Sequence, residues 1–169
     1  MIQKIISGGQ TGVDRAALDF AIQHGIDHGG WCPKGRLAED GILHPRYKLT
    51  ETPLSRYNQR THWNILDSHG TLIIRGAILS GGTALTWRLA KTIGRPCFTV
   101  TLQTEVDYKA VHQWVTDHSI QVVNMAGPRE SDNPGIYRES FLLLTNLFAY
   151  KEPATLNHEV QHGISLPLG

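Results

Sequence analysis

Three short glycine-bearing segments constrain the fold of this chain most strongly, because each directly follows a stretch that predicts a buried strand. They are residues 8–12, 80–83 and 126–127. After each, apolar residues recur at helical spacing, as Val13, Ala17 and Phe20 do after the first. Strands that alternate with helices of about ten residues or more indicate βαβ units and a mostly parallel sheet with right-handed crossovers.

The periodicity predicts about five or more strands flanked by helices, an α/β fold. Residues 32–57 have no clear period, but their aromatic and proline residues favour an ordered lid over a disordered loop. The predicted strands are residues 2–6, 26–31, 71–74, 96–102 and 120–125. The first predicted helix begins at Val13 and ends at Gly25. The other predicted helices cover residues 59–68, 84–92, 107–119 and 136–148.

The glycine segments predict a ligand site, because ligands of parallel sheets bind beyond the carboxyl ends of the strands, near the switch in strand order. At residues 8–12, small residues and free N–H groups at a helix start would form an anion cradle. The spacing fits neither the dinucleotide consensus nor a Walker loop with its lysine, so a merely tight strand-to-helix turn stays the alternative.

Several polar side chains near these turns are candidate ligand groups, and each has a structural alternative. Thr11 and Thr83 place hydroxyls where helices begin, either to bind phosphate oxygens or to cap the helices. Asp14 would repel a phosphate, so it is expected to cap its helix or pair with Arg15 or a lid arginine, with binding of a ribose or amino group as the other option. The cations that would neutralise an anionic ligand, or else lie solvated at the surface, are Lys34, Arg36, Arg60 and Arg129.

Three other features suggest chemistry less strongly. Glu39 and Asp40 would serve acid–base catalysis or a metal only if their side chains converged, which adjacent loop carboxylates rarely do. Cys32 would meet a soft metal in a bound cofactor or else pack as a buried thiol. Residues 158–162 match the zinc-protease pattern H-E-x-x-H, but a glycine follows at once, so chain-end packing or a subunit contact is the preferred interpretation.

Composition bounds the class of protein. The length of 169 residues fits one domain, predicted at residues 1–149, with a C-terminal tail at 150–169. A formal net charge of +1 gives no field for non-specific binding of nucleic acid. Two cysteines are too few for a disulfide framework, and no apolar run approaches a membrane span. A cytoplasmic protein without nucleic-acid or membrane partners is therefore expected.

The motifs also resemble a known family. SGGQTGVDRAALD (residues 7–19) is similar to the opening signature of the "putative molybdenum carrier" family. Tyr57, Arg60-Thr61 and Asn64 resemble parts of its later blocks. Further similar blocks are GGWCPKGR (29–36), AEDG (38–41), GGT (81–83) and NMAGPRE (124–130). The resemblance covers residues 2–149.

The resemblance implies a Rossmann-like doubly wound fold shared with the DprA and lonely-guy (LOG-like) proteins. It implies an oligomeric carrier, a dimer or tetramer, that binds molybdenum cofactor, a phosphate-bearing pterin dithiolene. LOG-like phosphoribohydrolases carry P-G-G-x-G-T-x-x-E, whose glutamate and a nearby arginine are catalytic. This chain has LSGGTALT (79–86), with Thr86 in the place of that glutamate. The departure disfavours hydrolysis but leaves nucleotide binding open.

The sequence therefore predicts a binding protein with no catalytic and no metal-ligating residues. Its ligand would be molybdenum cofactor (molybdopterin) or a related phosphorylated pterin. The alternatives are a nucleotide-binding protein, a LOG-like hydrolase of nucleoside monophosphates, and a ligand-sensing module that acts through oligomerisation. The predicted cofactor-binding residues are Gly8, Gly9, Gln10, Thr11, Gly12, Asp14, Arg15, Cys32, Lys34, Arg36, Arg60, Ser80, Gly81, Gly82, Thr83 and Arg129.

Overall fold

The structure is a computed structural model that describes residues 1–78 and 81–151. Strands and helices alternate along most of it, as the sequence predicts, but five short strands lie between the first and second helices. The strands are β1 Lys4–Ile6, β2 Asp27–Gly29, β3 Trp31–Cys32, β4 Leu37–Ala38, β5 Gly41–Ile42, β6 Thr50–Glu51, β7 Gly70–Arg75, β8 Cys97–Thr101 and β9 Val122–Ala126. The helices are α1 Val13–Gln23, α2 Tyr57–Leu66, α3 Gly81–Ile93, α4 Tyr108–Asp117 and α5 Ile136–Ala149.

Five of the strands form one sheet in the order β2-β1-β9-β7-β8, and all four pairings are parallel. Leu72, Ile73 and Ile74 of β7 are all at most 1% exposed. Because successive strand residues point to opposite faces, both faces of the sheet are covered there. The predicted Rossmann-like α/β fold is confirmed.

The strand order contains a cyclic shift. If β9 is counted as the first strand and β1, β2, β7 and β8 follow, the order reads 3-2-1-4-5. That is the order typical of dinucleotide-binding sheets. Their ligand crevice opens at the point where the strand order reverses. In this chain that switch point lies between β9 and β7.

The helices pack in two groups. Buried residues of α1, α4 and α5 share the main apolar core with the strands, around Phe20, Trp114 and Leu144. Helix α2 packs against α3, which lies along β7 and β8. Burial of these apolar surfaces stabilises the fold. It thereby fixes the positions of the sheet edge and of the loops along it.

The predicted strand at residues 26–31 is wrong in one respect, because it divides at Gly30. β2 joins the main sheet, whereas β3 pairs with β6 in a separate two-stranded sheet. Gly30 has φ 124°, and a Cβ there would lie 2.3 Å from the Ser7 carbonyl oxygen. Only glycine allows this turn, which redirects the chain into the lid, residues 33–56.

Two predictions lie outside the described residues. Ser80 falls in the gap at 79–80, and the H-E-x-x-H segment falls in residues 152–169. Among the helices that the structure describes, none is long and apolar enough to cross a membrane.

Candidate functional site

A cleft of about 370 Å³ opens at the switch point, at the carboxyl ends of β1, β7 and β9. Its volume falls within the range of small-molecule sites. Six predicted site residues line it, and they come from four different segments of the chain. They are Gln10, Asp14, Arg60, Gly82, Thr83 and Arg129.

The first glycine loop differs from the predicted anion cradle, because four N–H groups in and directly after it already have partners. Acceptors within the chain take the backbone N–H groups of residues 9, 10, 11 and 13. The pairs are Gly9 to Ser7 Oγ (3.4 Å), Gln10 to Asp14 Oδ2 (3.2 Å), Thr11 to Gln10 Oε1 (3.0 Å) and Val13 to the Pro128 carbonyl (3.2 Å). The anion at this loop is therefore the carboxylate of Asp14.

The glycines of this loop serve packing within the protein. A Cβ on Gly8 would overlap the Arg60 guanidinium, at 1.6 Å from Nη1. A Cβ on Gly12 would lie 2.4 Å from the Pro128 carbonyl oxygen. The missing side chains make room for Arg60 and for the loop after β9, and neither glycine is among the residues that line the cleft.

Asp14 and Arg60 form a buried ion pair on the cleft wall. Arg60 Nη1 lies 3.0 Å from Asp14 Oδ2, and the two side chains are 16% and 4% exposed. Burial raises the pKa of Asp14 above its ordinary value, although Arg60 and the Gln10 N–H group act in the opposite direction. Asp14 pairs with an arginine as predicted, but the partner is Arg60 of α2 and not Arg15 or an arginine of the lid.

Asn64 fixes the position of α2 and hence of Arg60. Its side-chain oxygen accepts from the Trp31 N–H group at 2.8 Å, and its Nδ2 donates to the Trp31 carbonyl at 3.0 Å. The rings of Trp31 and Trp63 pack edge to face at 4.6 Å. These contacts tie α2 to β3, so Arg60 is held by a rigid element.

The start of α3 is open, in contrast to the first loop. A Cβ added at Gly81 or Gly82 would meet nothing within 4 Å, and Gly82 lines the cleft beside Thr83. The N-terminus of a helix carries partial positive charge and directs N–H groups outward. Cradles were predicted at residues 8–12 and 80–83. Residues 81–83, the described part of the second segment, are the ones that face free space.

Neither predicted threonine cap is observed. Gly12 is the N-cap residue of α1. The Thr11 hydroxyl donates to Glu39 and accepts from the Glu130 N–H group at 3.1 Å. Thr83 is the third residue of α3 and is buried at the cleft wall. Thr11 therefore joins loops, whereas Thr83 stays a candidate ligand group.

Arg129 provides a second cation at the cleft. It forms ion pairs with Asp132 at 3.2 Å and Glu39 at 3.8 Å, yet its side chain is 40% exposed. An anion in the cleft therefore has an accessible guanidinium on the β9 side.

Of the predicted ligand residues with a charged side chain or a thiol, four are not among those that line the cleft. Arg15 binds Asp40 through two hydrogen bonds of 3.0 Å. Arg36 donates to carbonyl oxygens of the lid, including that of Leu49 at 2.9 Å. Lys34 is exposed. Cys32 is fully buried among apolar residues, and this burial raises the pKa of its thiol, which disfavours the thiolate that a metal requires.

Glu39 and Asp40 diverge, as expected of adjacent loop carboxylates. Glu39 accepts from Thr11 and from Ser131, whereas Asp40 pairs with Arg15. The two side chains fasten the lid to the first glycine loop, to the loop after β9 and to α1. Within residues 1–78 and 81–151, no three His, Cys, Asp or Glu side chains cluster as a metal site would require.

The prediction of site residues missed several that line the cleft. Tyr57, Asn58 and Thr61 belong to the first turns of α2, the helix of Arg60, and Gln103 and Asn133 follow β8 and β9. The spacing of Tyr57, Arg60 and Thr61 at i, i+3 and i+4 places them on one helix face, which was the available signal.

Comparisons with known proteins agree with this geometry. The model of the Circularly permutated YpsA SLOG family matches residues 5–148. A crystal structure described as a "Putative molybdenum carrier protein" from Syntrophus aciditrophicus SB is 51% identical, with a TM-score of 0.83. The match covers 86% of this chain and 94% of that chain. None of the curated proteins matches. The family's description agrees with the cyclic shift of the strand order, and the chain belongs to the circularly permutated YpsA SLOG family.

Proposed function

We propose that this protein binds molybdenum cofactor, or a related phosphorylated pterin, in the cleft between β9 and β7 without catalysing a reaction on it. The observation that carries the proposal is the meeting, at one switch point, of the open α3 start with Arg60 and Arg129. The 51% identical relative described as a molybdenum carrier supports the choice of ligand.

The phosphate of the ligand would lie at the start of α3. Gly81 and Gly82 leave room for it, the Thr83 hydroxyl is placed to donate, and Arg129 supplies charge from the opposite wall. The first glycine loop would act indirectly, by placing Gln10 and Arg60 at the cleft.

The carboxylates that line the cleft support the absence of catalysis. The two in the described residues are Asp14, paired with Arg60, and Asp132, paired with Arg129. An arginine engages each of them, and Asp14 Oδ2 also accepts from the Gln10 N–H group, so we expect neither carboxylate to take a proton from a ligand. Thr86, which replaces the glutamate of the LOG-like turn, donates its hydroxyl to the Gly82 carbonyl at 2.9 Å.

Equilibrium binding of molybdenum cofactor to the purified protein tests the proposal. We expect saturable binding at one site per chain, weakened at least tenfold by Arg129→Ala. Lys34→Ala, which removes an exposed cation not among those that line the cleft, is the matched control and should bind as the unchanged protein does. No saturable binding of the cofactor, with tight binding of a nucleotide instead, would overturn the choice of ligand.

A nucleotide is the second candidate ligand, favoured by the 3-2-1-4-5 strand order. A hydrolase of nucleoside monophosphates would release free base from a nucleotide panel. Because the described residues that line the cleft offer no unpaired carboxylate, we expect no release above the uncatalysed rate. Release of base that Asp14→Asn abolishes would show that catalysis does occur.

A further inference from the structure

We infer that the ring of Tyr57 stacks on the face of the ligand's planar ring system and so makes the cleft selective for phosphates that carry an aromatic ring. The inference rests on the proposed function, because it assigns the ring end of the ligand whose phosphate lies at α3. An exposed aromatic side chain that lines the cleft carries it, together with the position of that ring beside Arg60.

Tyr57 offers accessible aromatic surface at the cleft. It is the first residue of α2, it lines the cleft, and it is 43% exposed. Most of the accessible surface of a tyrosine belongs to its ring. The Tyr57 carbonyl oxygen accepts from the Thr61 hydroxyl at 3.0 Å, so the exposed part is mainly side chain. A ligand in the cleft therefore reaches the ring.

The Arg60 guanidinium holds this ring at the cleft wall. Its Cζ atom lies 5.9 Å from the centre of the Tyr57 ring, within cation–π range, and its Nη1 is fixed by Asp14 at 3.0 Å. Tyr57 and Arg60 stand at i and i+3 of α2, on one helix face. Among the described residues, the Tyr57 ring contacts no other aromatic ring and its hydroxyl has no hydrogen-bond partner. The ring is thus positioned and still has surface for a ligand.

Further apolar side chains line the same cleft. Ile78, which follows β7, is 75% exposed, and Leu85 of α3 is partly exposed. Leu85 lies about one helical turn after Gly82, where the phosphate is proposed to bind. Exposed apolar surface within a cleft is typical of ligand sites, because a bound ring removes it from water. The cleft therefore offers apolar surface as well as a phosphate site.

Stacking on an aromatic side chain tolerates different heterocycles, because every such ring has a π-face. Replacement of one stacking aromatic residue by alanine costs about 5- to 150-fold in affinity for a nucleic-acid base. A pterin and a purine would both use the Tyr57 ring, whereas a sugar phosphate has no aromatic ring to place there. Tyr57 should therefore control how much an aromatic ring adds to the binding of a phosphate.

Three probes separate the ring from the phosphate. Neopterin monophosphate has a pterin ring, guanosine monophosphate has a purine ring, and ribose 5-phosphate has no aromatic ring. In calorimetric titration of the unchanged protein, we expect neopterin monophosphate to bind at least tenfold more tightly than ribose 5-phosphate. This ratio is the ring advantage.

Tyr57→Ala tests the stacking directly. It should reduce the ring advantage at least fivefold and leave the affinity for ribose 5-phosphate unchanged. Tyr57→Phe keeps the ring and should keep the advantage. Trp87→Ala is the matched control, because Trp87 is an exposed aromatic residue of α3 that is not among those that line the cleft. It should keep the advantage as well.

Tyr57→Leu is the second variant, for the case that Tyr57→Ala fails to fold. Leucine keeps apolar bulk beside Arg60 but has no aromatic face, so it should also reduce the ring advantage. A ring advantage that both variants retain would overturn the inference, and so would an equal loss in Trp87→Ala. Weaker binding of ribose 5-phosphate and neopterin monophosphate alike in Tyr57→Ala would show a role limited to holding Arg60, and would overturn it too.

The same probes separate this inference from the proposed function. Equal affinity of the unchanged protein for neopterin monophosphate and ribose 5-phosphate would overturn the inference and leave a phosphate site at α3 intact. Tighter binding of guanosine monophosphate than of neopterin monophosphate, lost in Tyr57→Ala, would support the stacking and overturn the choice of a pterin. Binding of none of the three probes would overturn both.

Discussion

At the scale of single residues, the Asp14 carboxylate occupies the position at the first glycine loop where a bound anion would be expected. It accepts from the Gln10 N–H group and from Arg60, and it is almost fully buried. Burial alone would favour the protonated form, and it raises the pKa of Asp14 despite these donors. The loop and α2 are therefore joined by a buried ion pair, and burial of either charged side chain without its partner would be unfavourable.

Removal of one member of this pair should cost more than removal of both. We expect Arg60→Gln to lower the free energy of unfolding by about 3 kcal/mol, because it leaves the buried Asp14 without its partner. The double variant Asp14→Asn/Arg60→Gln should recover a large part of this loss. Urea unfolding of the four proteins in a double-mutant cycle measures the coupling. Additive effects of the two substitutions would contradict the coupling.

The Asp14–Arg60 pair also shows what the sequence could not reveal about the site. The glycines, the helix start and Asp14 are adjacent in sequence, so a turn was predictable there. Whether its N–H groups stay free depends on Arg60, which is 46 residues away in sequence and reaches the loop only because Asn64 ties α2 to β3. The cradle prediction for residues 8–12 differed from the structure because no local pattern encodes that contact.

At the scale of elements, the two glycine segments at helix starts differ in what their missing side chains admit. Gly12 has φ 71° and lies against the Pro128 carbonyl, whereas Gly82 borders the open cleft. Strand and helix positions followed from periodicity, since apolar side chains must point to the core. Whether a glycine packs against the protein, as Gly12 does, or faces the cleft, as Gly82 does, depends on residues that are distant in the sequence.

Alanine at these two glycines should separate stability from binding. We expect Gly12→Ala to lower the free energy of unfolding by at least about 2 kcal/mol, because a Cβ there meets backbone atoms at a positive φ. Gly82→Ala should leave stability unchanged or slightly higher, since alanine is the better helix former, and should weaken binding of ribose 5-phosphate several-fold. Thermal unfolding and calorimetry measure the two effects. Unaltered phosphate binding by Gly82→Ala would contradict the assignment of the α3 start.

The lid, residues 33–56, is fastened by carboxylates, which makes its attachment sensitive to acid. Hydrogen bonds from Arg15 hold the pKa of Asp40 below its ordinary value of 3.8. Burial opposes ionisation of Glu39, but hydrogen bonds from Ser131 and Thr11 outweigh it and hold its pKa below 4.5. A lowered folded-state pKa means that the contribution to stability is present above the ordinary value and is lost as the pH falls through the lowered one.

The lid should therefore loosen as the pH falls below the ordinary values of the two carboxyl groups. Hydrogen exchange of residues 33–56 at pH 7 and below pH 4 measures this, after correction for the intrinsic exchange rate. We expect protection at pH 7 and its loss in acid. The Glu39→Gln/Asp40→Asn variant should show weak protection at both pH values. Equal protection of the variant and the unchanged protein at pH 7 would show that other contacts hold the lid.

At the scale of the whole molecule, the cyclic shift changes the order in which the chain forms the strands but not which strands are neighbours in the sheet. Helix α5 follows β9, and β9 lies beside β1, so the order 3-2-1-4-5 requires a connection from α5 to β1. The ligand crevice depends on the strand neighbours, which the shift leaves unchanged. The sequence predicted a parallel sheet but not this order, because periodicity fixes which residues are buried and not which strands are adjacent.

A permuted chain tests whether the fold tolerates the order 3-2-1-4-5. Joining Gly169 to Met1 and opening the chain between His118 and Ser119, both exposed between α4 and β9, makes β9 the first strand. All strand pairings and the cleft are kept, so we expect cooperative unfolding and binding of molybdenum cofactor within about threefold of the original chain. A second permutant, opened within β7 between Leu72 and Ile73, interrupts a buried central strand and should fail to fold cooperatively. Urea unfolding followed by tryptophan fluorescence, together with cofactor titration, compares the two. Loss of binding in a cooperatively folded first permutant would show that the crevice requires the chain order as well as the strand neighbours.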